Sequence, residues 1–150
     1  DELYRWLTEG YQLDITKLRR MPEDLPADDG ILSVELYHPT AAEEIAHQGL
    51  YQKWHGHREL QLVCAGKQWM NFTPINADKG IALSEYQNMH GISPQETMAF
   101  GDNMNDASML LRADYSYAIG NARKEIKGLT RFVADTNMND GVLQVLRTIK

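Results

Sequence analysis

Residues 31 to 37, Ile31-Leu-Ser-Val-Glu-Leu-Tyr37, alternate in character, with Leu32, Val34 and Leu36 on one side and Ser33 and Glu35 on the other. A period of two is the pattern of a half-buried strand. A helix is expected next: Pro39-Thr40 can start one, Thr40 and Glu43 stand at the spacing of a capping box, and Ile45 and Leu50 give it an apolar side before Trp54 and Gly56. Glu59 to Cys64 and Gln68 to Thr73 then read as two short strands joined by the turn Ala65-Gly-Lys67. Strand, helix and hairpin together predict a small sheet covered on one side.

From Ala77 the pattern changes to alternating helix and strand. It predicts a helix from Lys79 to His90 stopped by Gly91, a strand from Thr97 to Phe100, a helix from Asn105 to Ala113 and a strand from Tyr115 to Ile119. A helix from Ala122 to Leu129, a strand from Arg131 to Ala134 and a last helix from Gly141 to Ile149 follow. Such alternation favours parallel strands with crossover helices, so the fold class expected here is α/β, a doubly wound parallel sheet. Upstream the pattern is weaker. Residues 1 to 9 read as the end of a helix carrying Leu3, Trp6 and Leu7 on one face, and the proline- and acid-rich stretch from Arg19 to Gly30 reads as a connection.

Charge narrows the partners. Fifteen lysines and arginines against 21 aspartates and glutamates give a net charge of -6 over 150 residues, which leaves no basic field for nucleic acid. No apolar run approaches the roughly 20 residues of a membrane span, and Asp1-Glu-Leu-Tyr-Arg-Trp6 is unlike a signal peptide. The single cysteine, Cys64, lies in the apolar run Leu60-Gln-Leu-Val-Cys64 and reads as a small buried thiol of a reducing cytoplasm rather than a nucleophile. The opening inside a helical pattern, without methionine, suggests a piece of a longer chain.

The densest chemistry is in Met98-Ala-Phe-Gly101-Asp102-Asn103-Met104-Asn105-Asp106. An apolar strand ends, Gly101 permits a sharp turn, and Asp102, Asn105 and Asp106 follow at the carboxyl end of a parallel strand, where open α/β sheets bind their ligands. Asp102 and Asp106 are suited to magnesium, which takes one or two carboxylates plus substrate phosphate, and Asn105 can donate to a phosphate oxygen or a metal-bound water. Asp102 or Asn103 could instead simply cap the next helix. Lys79, in Asp78-Lys79-Gly80, is a cation in a first helical turn, a placement that opposes the helix dipole and asks for an anionic partner. The histidines His38, His47, His55, His57 and His90 form no zinc set at usable spacing, and Trp54 and Trp69 read as packing residues.

Taken in order, Asp78-Lys79-Gly80, Gly91-Ile-Ser-Pro94, Phe100-Gly-Asp102-Asn-Met-Asn105-Asp106, Tyr117-Ala-Ile-Gly120-Asn121, Glu125-Ile-Lys127 and Thr136-Asn-Met-Asn-Asp140-Gly141 resemble the later motifs of haloacid dehalogenase-like hydrolases. The likeness is nearest to the Cof-type sugar phosphatases with a type II-B cap. The resemblance implies part of an α+β cap over residues 1–76 and the carboxy-terminal half of a Rossmann-like core over residues 77–150. It implies that Lys79 balances the charge of nucleophile and phosphoryl group, Asp102 binds Mg2+, Asn105 contacts phosphate or metal-bound water, and Asp106 holds Lys79 or a metal-bound water. Gly120-Asn121 reads as a structural turn.

The family's first motif, Asp-x-Asp-Gly-Thr after an apolar strand, has no counterpart. Asp28-Asp29-Gly30 follows a proline-rich connection and Asp14-Ile-Thr16 lacks the second carboxylate. The expectation is therefore a magnesium-dependent phosphatase acting on small phosphorylated metabolites through an aspartyl-phosphate, of which this chain carries part of the site. The rival is a non-catalytic fragment that binds metal or self-associates through its incomplete core sheet. A receiver-like or nucleotide-binding domain would explain the alternation but not Asp78-Lys79-Gly80 ahead of the acidic loop.

Overall fold

The computed structural model describes residues 33–54, 57–65 and 67–149, together with Arg5 and Glu9. The chain divides into two units, Asp1–Ile31 and Leu32–Lys150, and every element below belongs to the second. The expected helix over residues 1 to 9, the connection from Arg19 to Gly30, the first residues of the strand at Ile31, and His55, Gly56 and Gly66 lie outside the described residues apart from Arg5 and Glu9.

The first sheet is antiparallel. Strands β1 (Val34–Tyr37), β2 (Leu60–Ala65) and β3 (Trp69–Pro74) lie in the order β1-β3-β2. Between β1 and β2 run two short helices, α1 (Ala42–Ile45) and α2 (Tyr51–Trp54), joined by the wider π-helical turn Ala46–Leu50. The expected capping box at Thr40 does not form. The helix begins two residues later, with Ala41 at the N-cap, and the His38 ring accepts the Ala41 N–H at 3.0 Å. Ala42 and Ala46 are small enough for the helix to sit close on Met70 and Cys64, and these four form one buried cluster. Leu36, Met70 and Cys64 are cross-strand neighbours and share that face. The alternation read from the sequence is present, but the burial expected of β1 is not: Val34 remains 47% and Leu36 41% exposed because their strand is the edge of the sheet.

The second sheet is parallel. Strands β4 (Met98–Gly101), β5 (Tyr115–Ala118) and β6 (Phe132–Val133) stand in the order β4-β5-β6, as the alternation predicts. The helices are α3 (Lys79–His90), α4 (Ala107–Leu110), α5 (Lys124–Leu129) and α6 (Gly141–Leu146). Ala99, Ser116 and Ala118 point to one face, where alanines let Leu110 and Ile126 of the covering helices reach the sheet. Leu110 and Ile126 are fully buried, each contributing about 1.5–3 kcal/mol. Phe100, Tyr117 and Phe132 stack on the opposite face, with ring centroids 5.1 and 4.9 Å apart.

Helix α3 starts and stops where its sequence says it should. The Asp78 carboxylate accepts the N–H groups of Gly80 and Ile81 at 2.9 and 3.0 Å, a side-chain cap on donors that have no partner inside the helix. At the other end Gly91 adopts φ 65°, the left-handed conformation that favours glycine. The helix expected from Asn105 to Ala113 is shorter: a tight turn at Met104–Asp106 leads into α4. Among the described residues no helix is long and apolar enough to cross a membrane.

Candidate active site

Lys79 and Asp106, far apart in sequence, form an ion pair in which the Lys79 ammonium donates to Oδ1 of Asp106. The other oxygen of Asp106 accepts the backbone N–H groups of Asp102 and Asn103 at 3.1 and 3.3 Å. Asp106 is therefore engaged on both oxygens and is only 9% exposed in its side chain, whereas Lys79 is 51% exposed. Burial alone would push the Asp106 carboxyl up. The Lys79 ammonium and the two backbone donors more than offset it and hold the group below the usual carboxylate range.

Of the two candidate caps, Asn103 is the one used: its side chain accepts the Met104 N–H at 2.9 Å, and Asp106 returns a bond to the Asn103 N–H. Asp102 is left over from capping. It is exposed at the end of β4, and its carboxylate has no hydrogen-bond or ion-pair partner among the described residues. Its carbonyl oxygen accepts the Arg123 N–H at 3.1 Å, which ties the loop to the start of α5. The Arg123 guanidinium in turn makes a two-pronged pair with Glu43 of α1 at 2.7 and 2.8 Å. That pair lowers the Glu43 carboxyl and raises the arginine.

Glycines make this packing feasible. A Cβ on Gly101 would lie 2.6 Å from Cβ of Asp106, and one on Gly80 would lie 2.5 Å from the Ser108 carbonyl oxygen. Gly101, expected to serve a sharp turn, is thus required by close approach, since its backbone φ is not in the left-handed region. Gly120-Asn121 is structural in its contacts: Gly120 donates to the Asp135 carbonyl at 3.1 Å, and the Asn121 side chain accepts the Asn137 N–H at 3.1 Å.

Lys79 and Asn105 open onto a cleft of about 390 Å³ whose opposite wall is the antiparallel sheet, with Gln61 on β2 and Asn71 and Thr73 on β3. Asn71 Oδ1 and Thr73 Oγ1 are shielded and have no hydrogen-bond partner, a state that costs about 1–3 kcal/mol per group. The sequence reading passed over these three residues and Ser108, whose hydroxyl donates to Asp78 at 2.7 Å and accepts from Gly80 at 3.2 Å. A signal existed for β3: in Trp69-Met-Asn-Phe-Thr73 the polar positions alternate with Met70 and Phe72, so they face away from the buried cluster.

His57 accepts the Glu59 and Leu60 N–H groups at 3.3 and 3.2 Å, Trp54 rests on Phe72 with centroids 5.4 Å apart, and Trp69 rests on Tyr37 at 5.0 Å. Cys64 is buried, with the Tyr51 hydroxyl donating to its sulfur at 3.4 Å. Among the described residues no three His, Cys, Asp or Glu side chains converge as a metal-binding group. The donors present fit part of a magnesium shell, since that ion needs few protein carboxylates and keeps its waters.

A parallel sheet whose first strand ends in an acidic loop, with a lysine from the preceding helix reaching into it and an antiparallel module beside it, defines a Rossmann-like α/β core joined to a cap. The chain belongs to the haloacid dehalogenase-like hydrolases, whose family model matches residues 15–146. It is 33% identical over 102 residues to the 5-amino-6-(5-phospho-D-ribitylamino)uracil phosphatase YwtE of Bacillus subtilis, covering 68% of this chain and 32% of that protein. It is 30% identical over 105 residues to the pyridoxal phosphate phosphatase YbhA of Escherichia coli, covering 69% and 35%. The solved structure of a haloacid dehalogenase-like hydrolase from B. subtilis superposes with a TM-score of 0.73 at 29% identity, covering 85% of this chain and 45% of that one. The chain thus spans about a third of the length of these curated relatives.

Proposed function

We propose that these residues form part of a magnesium-dependent phosphatase that hydrolyses small phosphate monoesters, a sugar phosphate or similar metabolite, through an aspartyl-phosphate. The observation that carries the reading is the Lys79–Asp106 ion pair beside the unpartnered carboxylate of Asp102, at the end of β4. The relatives add to it, since both are phosphatases of small phosphorylated compounds by name.

Phosphoryl transfer asks mainly for positioning and for neutralising charge on the phosphoryl oxygens. Lys79, fixed by Asp106, would set its ammonium against those oxygens, and Asn105 would orient them through its side-chain amide. Asp102 would hold Mg2+, with Asp106 completing the site by holding Lys79 or a metal-bound water. Bound magnesium would supply Lewis-acid neutralisation of the phosphoryl group. No Asp-x-Asp-Gly-Thr motif stands in these 150 residues, so on this reading the nucleophilic carboxylate would come from a further segment. Its oxygen would attack phosphorus as the bond from phosphorus to the ester oxygen breaks, the second carboxylate of that motif would give the leaving oxygen its proton, and the same group would then take a proton from the water that cleaves the acyl phosphate to inorganic phosphate. On this reading residues 1–76 contribute to the cap and residues 77–150 to the core.

The test is hydrolysis of an aryl phosphate by the full-length protein, with magnesium and with chelator, beside Asp102→Asn. Metal-dependent turnover lost in the variant supports the proposal; no metal-dependent turnover in the full-length protein sinks it. The missing Asp-x-Asp motif favours a second reading for these 150 residues taken alone: a fragment without turnover that binds metal or self-associates.

A further inference from the structure

Asp102 carries the exposed carboxylate at the end of β4 that has no hydrogen-bond or ion-pair partner among the described residues. A strong cation is rooted beside it. The Arg123 N–H donates to the Asp102 carbonyl at 3.1 Å, so the two residues are bonded backbone to backbone. A planar guanidinium on a flexible three-carbon stem is well matched to a carboxylate, which it meets with two parallel hydrogen bonds. With no other partner, Arg123 would turn onto Asp102.

It does not, because Glu43 holds it. Nη1 and Nη2 of Arg123 donate to Oε1 and Oε2 of Glu43 at 2.7 and 2.8 Å, which uses both prongs of the fork. The two side chains are 32% and 30% exposed. An ion pair this open to water contributes little to stability, so holding the fold together is a poor account of its two-pronged geometry. Its place beside the acidic loop offers a better one.

Resting on the reading of Asp102 as the magnesium ligand proposed above, we infer that Glu43 is a positioning residue: by engaging both prongs of Arg123 it keeps the guanidinium off Asp102 and leaves that carboxylate to the metal. Magnesium binds through few protein carboxylates, so an arginine on Asp102 competes with it directly. The role has a definite sign. A pair that merely ties α1 to the start of α5 is broken equally by removing either partner. Here losing Glu43 alone is harmful, and losing Arg123 as well repairs the harm.

The experiment titrates the full-length protein with Mg2+ by calorimetry and, in parallel, measures the magnesium concentration for half-maximal hydrolysis of an aryl phosphate. In Glu43→Gln the dissociation constant is expected to rise by about threefold or more, the size of an exposed ion pair, and the half-maximal concentration to rise in step. In Arg123→Gln and in the double variant, binding is expected to be no weaker than in wild type. Glu44→Gln makes the same change of charge one residue along α1, where the carboxylate accepts from Gln48 at 2.8 Å, and is expected to bind Mg2+ as wild type does. An unchanged affinity in Glu43→Gln overturns the inference. So does any of the other three variants binding as weakly as Glu43→Gln, and so does a wild-type protein that binds no Mg2+. A protein that shows the expected order of affinities yet hydrolyses no monoester overturns the phosphatase reading alone, so the two failures are told apart.

Discussion

Asp106 accepts three hydrogen bonds at once, from the ammonium of Lys79 and from the backbone N–H groups of Asp102 and Asn103. One buried carboxylate thus fixes both the lysine and the loop that carries Asp102. Substituting Asp106→Ala removes all three bonds and leaves donors without partners, so a loss of about 2–3 kcal/mol is expected. Thermal unfolding at neutral pH measures it. Lys79→Met, by contrast, removes a half-exposed group and is expected to cost little stability while lowering kcat by roughly a hundredfold or more in the full-length protein.

The same carboxylate gives a pH dependence of definite sign. Its pKa is lowered by folding, so the folded state binds the proton less readily than the unfolded chain. Its contribution is fully present above the unfolded value of about 3.9 and is lost as pH falls through the lowered folded value. Wild type is therefore expected to lose more stability than Asp106→Asn on acidification from pH 7 to pH 3. Melting curves across that range check it, and equal losses would remove Asp106 from the account.

Close packing at two glycines makes a prediction that separates fold from site. In Gly80→Ala the new methyl meets backbone of Ser108, and in Gly101→Ala it meets Asp106. Each is expected to destabilise by about 1–3 kcal/mol. Gly101→Ala should in addition depress turnover by more than its melting temperature explains, because the methyl displaces the Asp106 side chain, whose carboxylate is paired with Lys79. Activity measured well below the melting transition distinguishes the two.

The bidentate Arg123–Glu43 pair joins the helical side of the antiparallel module to the loop that carries Asp102. Its side chains are each about one-third exposed. A double-mutant cycle with Glu43→Ala and Arg123→Ala is accordingly expected to give a coupling of less than about 1 kcal/mol, weakening as salt is raised. A coupling of several kcal/mol that ignores salt would contradict this.

Much of the core was legible because its signals are local. The span from Lys79 to His90 and the stop at Gly91 were readable in the sequence, while the Asp78 cap emerges only in the structure. The parallel strands followed from their spacing; motif order singled out Lys79, Asp102 and Asp106, of which the structure joins Lys79 and Asp106 in an ion pair. What was not legible depends on what lies beside an element. The apolar residues of β1 alternate correctly, yet an edge strand does not bury them. Thr40 has the composition of a cap, but the chain turns first and His38 takes that place. Arg123 and Glu43 carry no sign in sequence that they will meet, because the pairing depends on how two modules pack.

The aromatic face of the parallel sheet supplies the last test. Doubly wound sheets are covered on both faces. In the core cluster of this sheet, small residues and helices account for one face, while Phe100, Tyr117 and Phe132 form a ladder on the other, with Phe132 38% and Tyr115 46% exposed. Strand β4 is hydrogen-bonded to β5 alone among the described strands, so an edge and an apolar face lie together. An unpaired edge and contiguous apolar surface favour association. The 150-residue chain alone is therefore expected to self-associate with rising concentration and to bind a hydrophobic dye, whereas the full-length protein does neither. Sedimentation of the two proteins at matched concentrations decides it. A well-behaved monomer that binds no dye would contradict this.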